Sequence, residues 1–331
     1  MRMHVASILH FGGVRAALLL CCLGTTICET SCGDDPSIQA TIEQTSGDAE
    51  SGALLQKEMF AHGESIRQGV FSGTEALLNI EPDGRETRGK ARFTGAFDFV
   101  SGRIRFDYKS ETDRERDYHY FESPESRVIH SVATGYKIFR GPVERHRDRP
   151  AEFFDVRCIG MVTETEVGMG LLPNIKERIE ESDVEMTGRK IENSTRSELV
   201  KTTAKGIGYV RHELDAEKDY APILLELRFR QKDGKTSEVS DKVTVEWEQR
   251  NGIWVPRSVA FERPYRKGGS KIRRLEFEWQ TVNKAVPDFE FDHKTLVLPI
   301  GTRIVDHATD PANPVLVEIV GEPSGINIPK K

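Results

Sequence analysis

The sequence RGKARFTGAFDFVSGRIRFDY, residues 88–108, largely alternates aromatic, aliphatic or glycine residues with polar ones, and the fold is predicted from this alternation. From Phe93 to Phe99, every second residue is aromatic or glycine. Ser101 and Gly102 then form a turn signal, after which apolar and charged residues alternate again. Every second side chain of a strand lies on the same face of its sheet. The stretch therefore predicts two antiparallel strands that share one apolar face.

The same period of two recurs on both sides of this stretch. Turn signals at residues 82–84, 251–252 and 268–269 separate further runs in which every second residue is apolar. Short strands at this spacing are typical of an antiparallel meander. Residues 154–159, in contrast, follow an arginine-rich loop, and we expect them to enter a strand.

Few segments predict helices. Leu55 and Met59 recur at helical spacing within residues 53–68, and shorter helices are predicted at 171–181 and 192–205. A sheet of about ten strands with so few helices must close into a barrel or curl around them. The expected fold is therefore α+β and mainly β, with a large curled antiparallel sheet, or half-open barrel, wrapping a few helices.

The N-terminus has the layout of a secretory signal peptide. Basic residues precede a short apolar run at residues 16–23, and small and polar residues follow it. The run is too short for a membrane span. Residues 1–32 are therefore predicted to direct export to the periplasm or cell envelope. Cys32 is a candidate lipid anchor, although Glu29 stands where a lipoprotein signal has an apolar residue; simple cleavage near this point is the alternative.

The chain of 331 residues is long enough for one large domain. Residues 33–52 are rich in Ser, Gly and Asp and predict a flexible tether. Residues 53–310 are predicted to form a single half-barrel domain, followed by a C-terminal tail at 311–331. Pro287 and Pro299 exclude central strand positions before that tail. We expect this part of the chain to finish an exposed edge of the sheet.

The charge balance disfavours a nucleic-acid partner, because the net charge is −6 and such proteins usually carry basic domains. After the predicted signal peptide, Cys158 is the lone cysteine, which predicts a buried thiol and excludes a disulfide framework. Four arginines in one loop are candidates for binding phosphate or lipid headgroups: Arg140, Arg145, Arg147 and Arg149.

No catalytic motif is present: H-E-x-x-H, G-x-S-x-G and the P-loop are all missing from the sequence. Asp117, His119 and Glu122 suggest a metal site, but on a strand Glu122 would face away, and a polar edge strand is the favoured interpretation. Glu246 and Glu248 share a strand face, where a solvated surface explains them as well as a glycosidase pair does. We therefore expect no enzyme, no metal and no cofactor.

Several segments together resemble a known family. These are SIRQGVFSGTEALL after the first predicted helix, SGRIRFDY, VPDFEF at residues 286–291 and LPIGTRIVD at 298–306. In order and spacing they resemble the periplasmic lipoprotein-carrier superfamily, which includes outer-membrane lipoprotein-sorting proteins and envelope-stress sensors. The resemblance covers most of residues 53–307. It implies a half-closed barrel whose helices act as lid and plug, in a larger member with insertions.

The resemblance implies an exported, non-catalytic envelope protein that binds, carries or senses the acyl chain of a lipid or lipoprotein. The apolar stripe would line the cavity, although ordinary core is the other interpretation: Phe93, Phe97, Phe99, Ile104, Phe106, Leu225, Leu227, Phe229, Trp247, Leu275, Phe277 and Trp279. A helical stripe would form the lid: Leu171, Leu172, Ile175 and Ile179.

Two other classes of function stay open at this point. One is an envelope hydrolase with an unrecognised acid or Ser/His site. The other is a structural module that binds an envelope protein partner. In each case the protein would be peripheral to the membrane or lipid-anchored.

Overall fold

The computed structural model describes residues 48–131, 135–140, 149–150, 152–167, 170–180, 184–203, 208–230, 236–265, 268–296, 300, 302–306 and 315–319. The predicted signal peptide, Cys32 and the tether up to residue 47 lie outside the described residues, as do Arg145 and Arg147. None of the described helices is both long and apolar enough to cross a membrane.

The described residues form one sheet of fifteen strands, in the order β15-β14-β6-β5-β4-β3-β2-β1-β13-β12-β11-β10-β9-β8-β7. Neighbouring strands pair antiparallel, except that β14 runs parallel to β6. The strands are β1 (Gln68–Ile80), β2 (Glu86–Asp98), β3 (Arg103–Ser110), β4 (Tyr118–Glu122), β5 (Ser126–Ser131), β6 (Gly135–Arg140), β7 (Val184–Lys190), β8 (Arg196–Thr203), β9 (Gly208–Asp215), β10 (Ala221–Arg230), β11 (Thr236–Arg250), β12 (Ile253–Pro264), β13 (Ser270–Val282), β14 (Arg303–Asp306) and β15 (Val315–Ile319).

Two meanders, β1–β6 and β7–β13, meet in the middle of the sheet. Their junction is the pair β1 and β13, whose register runs from Gly69 opposite Val282 to Ile80 opposite Ser270. The helices are α1 (Ala49–Ser65), α2 (Glu164–Val167) and α3 (Leu172–Glu180). The expectation of a mainly β fold, with a large antiparallel sheet around a few helices, is confirmed.

Helix α1 begins and ends earlier than the predicted range of 53–68. It begins after Asp48, whose carboxylate accepts a hydrogen bond from the Ser51 backbone N–H at 2.6 Å. It ends because Asn283 binds the backbone on both sides of the exit, accepting from the Arg67 N–H at 2.8 Å and donating to the Ser65 carbonyl at 2.7 Å. The first turn therefore includes residues 49–52, which the sequence assigned to the tether.

Three predictions of secondary structure are wrong. The helix expected at 192–205 is strand β8, because pairing with β7 and β9 on both sides overrides its weak helical pattern. The strand expected at 154–159 is instead a 3₁₀ turn at Val156–Cys158, capped by the Asp155 carboxylate. Strand β4 is not an edge strand, since it pairs with β3 and β5.

The segment after β13 leaves the sheet and then returns to it. It forms 3₁₀ turns at Asp288–Phe291 and His293–Thr295 before β14 joins the far side of β6. Strand β15, which lies within the predicted tail, pairs with β14 and forms the edge. This part of the chain therefore extends the sheet by two strands.

Two glycines on adjacent strands make room for aromatic rings. A Cβ at Gly95 would lie 2.3 Å from a ring carbon of Phe71, and one at Gly73 would lie 2.4 Å from a ring carbon of Phe93. Real Cβ atoms do not approach so closely, so the rings occupy the space that side chains would need. Glycine at these positions lets large aromatic side chains lie flat against the strands.

We expect Gly95→Ala to lower the free energy of unfolding by about 1–3 kcal/mol, because the added methyl overpacks the core. Gly89→Ala is the matched control in the same strand, since its Cβ would first meet Leu77 at 3.4 Å. The control should stay within about 0.5 kcal/mol of the wild type. Chemical denaturation measures both, and equal stabilities for the two variants would contradict the packing argument.

Candidate functional site

Aromatic rings form a continuous layer on the inner face of the sheet where β1, β2, β3 and β13 meet. The Phe71 ring contacts the rings of Phe93 and Phe277, with centroids 6.1 and 5.7 Å apart. Phe93 stacks on Phe106 at 6.0 Å. All four side chains are buried. Aromatic pairs of this kind add about 0.5–1.5 kcal/mol each beyond the burial of their area.

A segment outside the sheet packs against this layer, and we call residues 152–163 the plug segment. Its regular structure is one 3₁₀ turn, and it pairs with none of the described strands. The Phe154 ring lies 5.1 Å from the Phe106 ring and 5.5 Å from the Phe93 ring. The apolar side chains of the plug segment are all buried: Phe153, Phe154, Val156, Cys158, Ile159, Met161 and Val162.

Two ion pairs, one of them buried, hold the beginning of the plug segment. Arg149 donates to Glu122 at 2.7 Å, and both side chains are buried. The Tyr120 hydroxyl also donates to Glu122, and burial raises the pKa of the Tyr120 phenol. Arg116 donates to Glu152 at 2.9 Å. The prediction that Arg149 binds a headgroup is therefore wrong, since this guanidinium is buried against a carboxylate.

Asp155 joins the plug segment to helix α3. Its carboxylate accepts hydrogen bonds from the Arg157 guanidinium at 2.6 Å and from the Leu172 backbone N–H at 2.8 Å. The Arg157 guanidinium carbon lies 3.4 Å from the centroid of the Phe99 ring. One buried carboxylate thus fixes both the plug segment and the beginning of the helix.

Another buried ion pair lies on the inner face itself. Arg273 on β13 donates to Glu75 on β1 at 2.8 Å, and the Tyr108 hydroxyl donates to the same carboxylate at 3.1 Å. Burial and the Glu75 charge raise the pKa of Tyr108. In the sequence, Glu75 and Arg273 look like ordinary members of polar strand faces. Their pairing depends on the long-range register of β1 with β13, so sequence reasoning missed it.

The helix predicted as a lid is observed as α3, at nearly the predicted bounds. Leu172 and Ile175 are buried, whereas Leu171 and Ile179 are half-buried and pack against the core. The predicted apolar stripe therefore faces the interior. Opening of this helix stays a prediction.

The predicted lining residues occupy different environments. Nine lie in the buried core: Phe93, Phe97, Ile104, Phe106, Leu225, Trp247, Leu275, Phe277 and Trp279. Phe99 packs against that core and Leu227 is half-buried. Phe229 is 38% exposed, so its assignment to the lining is wrong. It lies near the end of β10, opposite Gly208, where no side chain of that partner covers it.

Several buried polar groups escaped the sequence analysis because their burial comes from distant elements. Burial lowers the pKa of His62 to about 4, and neither of its ring nitrogens has a hydrogen-bond partner among the described residues. The His212 ring nitrogen Nε2 lies 3.0 Å from the Met161 carbonyl, and burial lowers its pKa to about 3. The Cys158 thiol is fully buried, as predicted, and burial raises its pKa.

A separate cleft of about 260 Å³ lies between α1 and the turn after β9. Its lining is about equally polar and apolar and comprises Glu58, Ala61, His62, Ser65, Ala216, Asp219 and Tyr220. An acyl chain needs apolar walls. The cleft is therefore a poorer candidate for chain binding than the aromatic interior.

The acidic groupings noted in the sequence do not converge on a site. Asp117 accepts a hydrogen bond from the Ser110 N–H at 2.7 Å, and His119 lies 2.8 Å from Asp107. The described residues contain no group of His, Cys, Asp and Glu arranged to hold a metal ion. Glu246 is exposed and Glu248 binds Arg250 at 3.0 Å, as expected for a solvated face.

We expect Asp155→Ala to lower the free energy of unfolding by about 3–5 kcal/mol, because it leaves the Arg157 charge buried without its partner. Glu248→Ala is the matched control: it also removes a carboxylate two residues before an arginine, but this pair is more exposed. The control should cost at most about 1 kcal/mol. Urea denaturation compares the two, and similar losses would show that Asp155 does not anchor the plug segment.

Acid should destabilise the fold through its buried histidines. An unfolded histidine takes up a proton near its ordinary pKa of 6.5, whereas folded His62 does so near 4, so stability falls as the pH drops between these values. His62→Phe keeps a ring beside Trp247 and removes the titration. Its loss of stability between pH 6.5 and 4 should be smaller by about 3 kcal/mol. Parallel pH profiles of unfolding free energy for variant and wild type would contradict this.

No family model matches the sequence, and no curated protein matches it. A domain from Vibrio parahaemolyticus, assigned provisionally to outer-membrane lipoprotein sorting, matches 75% of this chain and 98% of its own, with 13% identity and a TM-score of 0.44. A DUF1329 family protein from Desulfovibrio piger matches 75% of this chain and 99% of its own, with 11% identity and a TM-score of 0.44. A LolA superfamily protein from Nitrosomonas europaea matches 72% of this chain and 98% of its own, with 12% identity and a TM-score of 0.39. All three similarities are between structures and stand at 11–13% sequence identity.

Proposed function

We propose that the protein is exported to the cell envelope and there binds the acyl chain of a lipid or lipoprotein in the interior of the half-barrel, without catalysis. One observation carries the proposal: the aromatic inner face is covered by a plug segment that pairs with none of the described strands. Among the described residues, no strand pairing holds this cover. It can leave without breaking the sheet.

An acyl chain has the right chemistry to replace the plug segment. Phe153 and Phe154 give the inner face an apolar cover, and a hydrocarbon chain offers the same face an equivalent surface. Burial of each CH₂ contributes about 0.8 kcal/mol, so a chain of about twelve carbons gains about 8–10 kcal/mol before the plug contacts are subtracted. Occupancy is therefore a competition between plug and chain, and the difference between the two sets the affinity.

The anchors of the plug segment determine how it would move. Asp155 binds the beginning of α3 through the Leu172 N–H. Displacement of the plug segment would therefore carry α3 with it, in the role of the predicted lid. The Arg149–Glu122 pair holds the other end and would act as the fixed point.

A protein-interaction module is the second candidate, and the packed interior favours it. The rings of Phe154, Phe93 and Phe277 lie within 6 Å of one another, as in an ordinary core. Strand β15, at one end of the sheet, would then offer an edge for pairing with a partner strand, whereas Asp48 already bridges Gly188 on β7 at the other end.

Phe154→Ala tests the proposal, because it removes the central ring of the plug segment. We expect the variant to bind a fluorescent fatty acid about tenfold more tightly than the wild type, since the competing cover is weakened. Phe289→Ala removes an exposed ring and is the matched control. Native mass spectrometry followed by organic extraction then identifies any lipid that co-purifies with the wild-type chain.

Labelling of Cys158 covers the case in which Phe154→Ala fails to fold. In the wild type this buried thiol should react with a maleimide only slowly, and a saturating fatty acid should accelerate the reaction by exposing the plug segment. The proposed acyl-chain binding would be contradicted if the wild-type chain carried no lipid, took up no fatty acid and showed no change in labelling. Binding of a protein partner would then be the favoured function.

A further inference from the structure

Lys201 is a buried cation on the inner face of the sheet. It lies on β8, where Ser197, Leu199 and Lys201 alternate inward, and it is only 7% exposed. Its ammonium nitrogen lies 5.9 Å from the centroid of the Phe60 ring of helix α1. A lysine so deeply buried usually has a carboxylate partner.

Lys201 differs in this respect from three other buried cations. Arg273, Arg157 and Arg149 each have a carboxylate oxygen within 2.8 Å. No ion pair joins Lys201 to any carboxylate in the described part of the chain. Glu166 acts on it only from a greater distance. Burial lowers the pKa of Lys201 to about 8, so the ammonium is still its main form at pH 7.

The position of Lys201 links it to the end of the plug segment. Leu199, two residues before it, pairs across the sheet with His212, and the His212 ring binds the Met161 carbonyl of the plug segment. The ammonium charge of Lys201 also contributes to the low pKa of His212. Lys201 therefore lies close to the end of the plug segment.

A second lysine lies near the Phe60 ring, on its solvent side. Lys176 on α3 also lies 5.9 Å from the Phe60 centroid, but it is partly exposed and binds Glu64 at 2.9 Å. Phe60 thus has an outer and an inner ammonium group as neighbours. A negatively charged head that passes α3 would meet first Lys176 and then Lys201.

From this geometry we propose that the interior takes single-chain amphiphiles with an anionic head, a carboxylate or a phosphate, and that Lys201 receives the head while the chain lies on the aromatic layer. This inference rests on the proposed function. It adds the class of ligand: a neutral chain would bury the lysine without a partner, whereas an anion would pair with it. Charge-assisted hydrogen bonds in buried sites are strong enough to select between such ligands.

Calorimetric titration of the full chain with dodecanoate, dodecyl phosphate and dodecanol, each below its micelle concentration, tests the inference. We expect the two anions to bind the wild type at least about tenfold more tightly than the alcohol. Lys201→Met should bring the anions down to the affinity of dodecanol, and Lys201→Arg should retain the preference. Lys109→Met, at an exposed position, is the matched control. Removal of a lone buried charge is compatible with folding, and thermal unfolding verifies it.

The possible results distinguish failure of the anion site from failure of the proposed acyl-chain binding. Equal binding of dodecanol and dodecanoate by the wild type, or a preference for anions that survives in Lys201→Met, would overturn the anion site while acyl binding stands. Competition by inorganic phosphate as strong as that by dodecyl phosphate would identify a free-anion site and also overturn it. Failure of all three amphiphiles to bind would remove the proposed function and this inference together.

Discussion

The structure depends on one constraint: the inner face of a very wide sheet is apolar, and something must cover it. The three described helices are few for fifteen strands. The remaining cover comes from the plug segment, whose phenylalanines pack on the aromatic layer. Hydrophobic burial is the main driving force of folding. The position of the plug segment on the aromatic layer therefore determines where the ion pairs that hold it must lie. The same dependence makes the inner face a place where another apolar molecule could substitute.

The polar groups of the interior fall into two kinds. Most are paired: Glu75 with Arg273, Asp155 with Arg157, and Glu122 with Arg149. These pairs lie around the aromatic layer and at the ends of the plug segment, where they fix position more than they add stability. Two buried groups of another kind are Lys201, which has no ion pair among the described residues, and His62, whose ring nitrogens have no hydrogen-bond partner there. A buried charge with a carboxylate or guanidinium partner explains why the chain adopts a single packing arrangement. A buried polar group without such a partner indicates either a ligand or a loss of folding free energy.

Much of the fold could be predicted from local pattern. The alternation at residues 88–108 identified β2 and β3, and helical spacing located α1 and α3 to within a few residues. The errors have physical causes. Residues 154–159 have strand-like composition but are capped by Asp155 inside the core, and residues 192–205 pair on both sides as β8. Phe229 continues the apolar alternation of β10, but it lies opposite Gly208 near the end of the strand and is 38% exposed, more than its pattern predicted.

Local pattern was enough to predict the class of the fold and most rings of the aromatic layer, because side-chain alternation and the positions of Gly and Pro are local properties. Which residues meet depends on the tertiary structure. The pairing of β1 with β13 brings Glu75 to Arg273, and the path of the plug segment brings Asp155 to the Leu172 N–H. It also decided that Lys201 is buried without a carboxylate among the described residues, since burial arises from helix α1 far away in the chain. Contacts of this kind depend on packing between distant segments, and no local pattern records them.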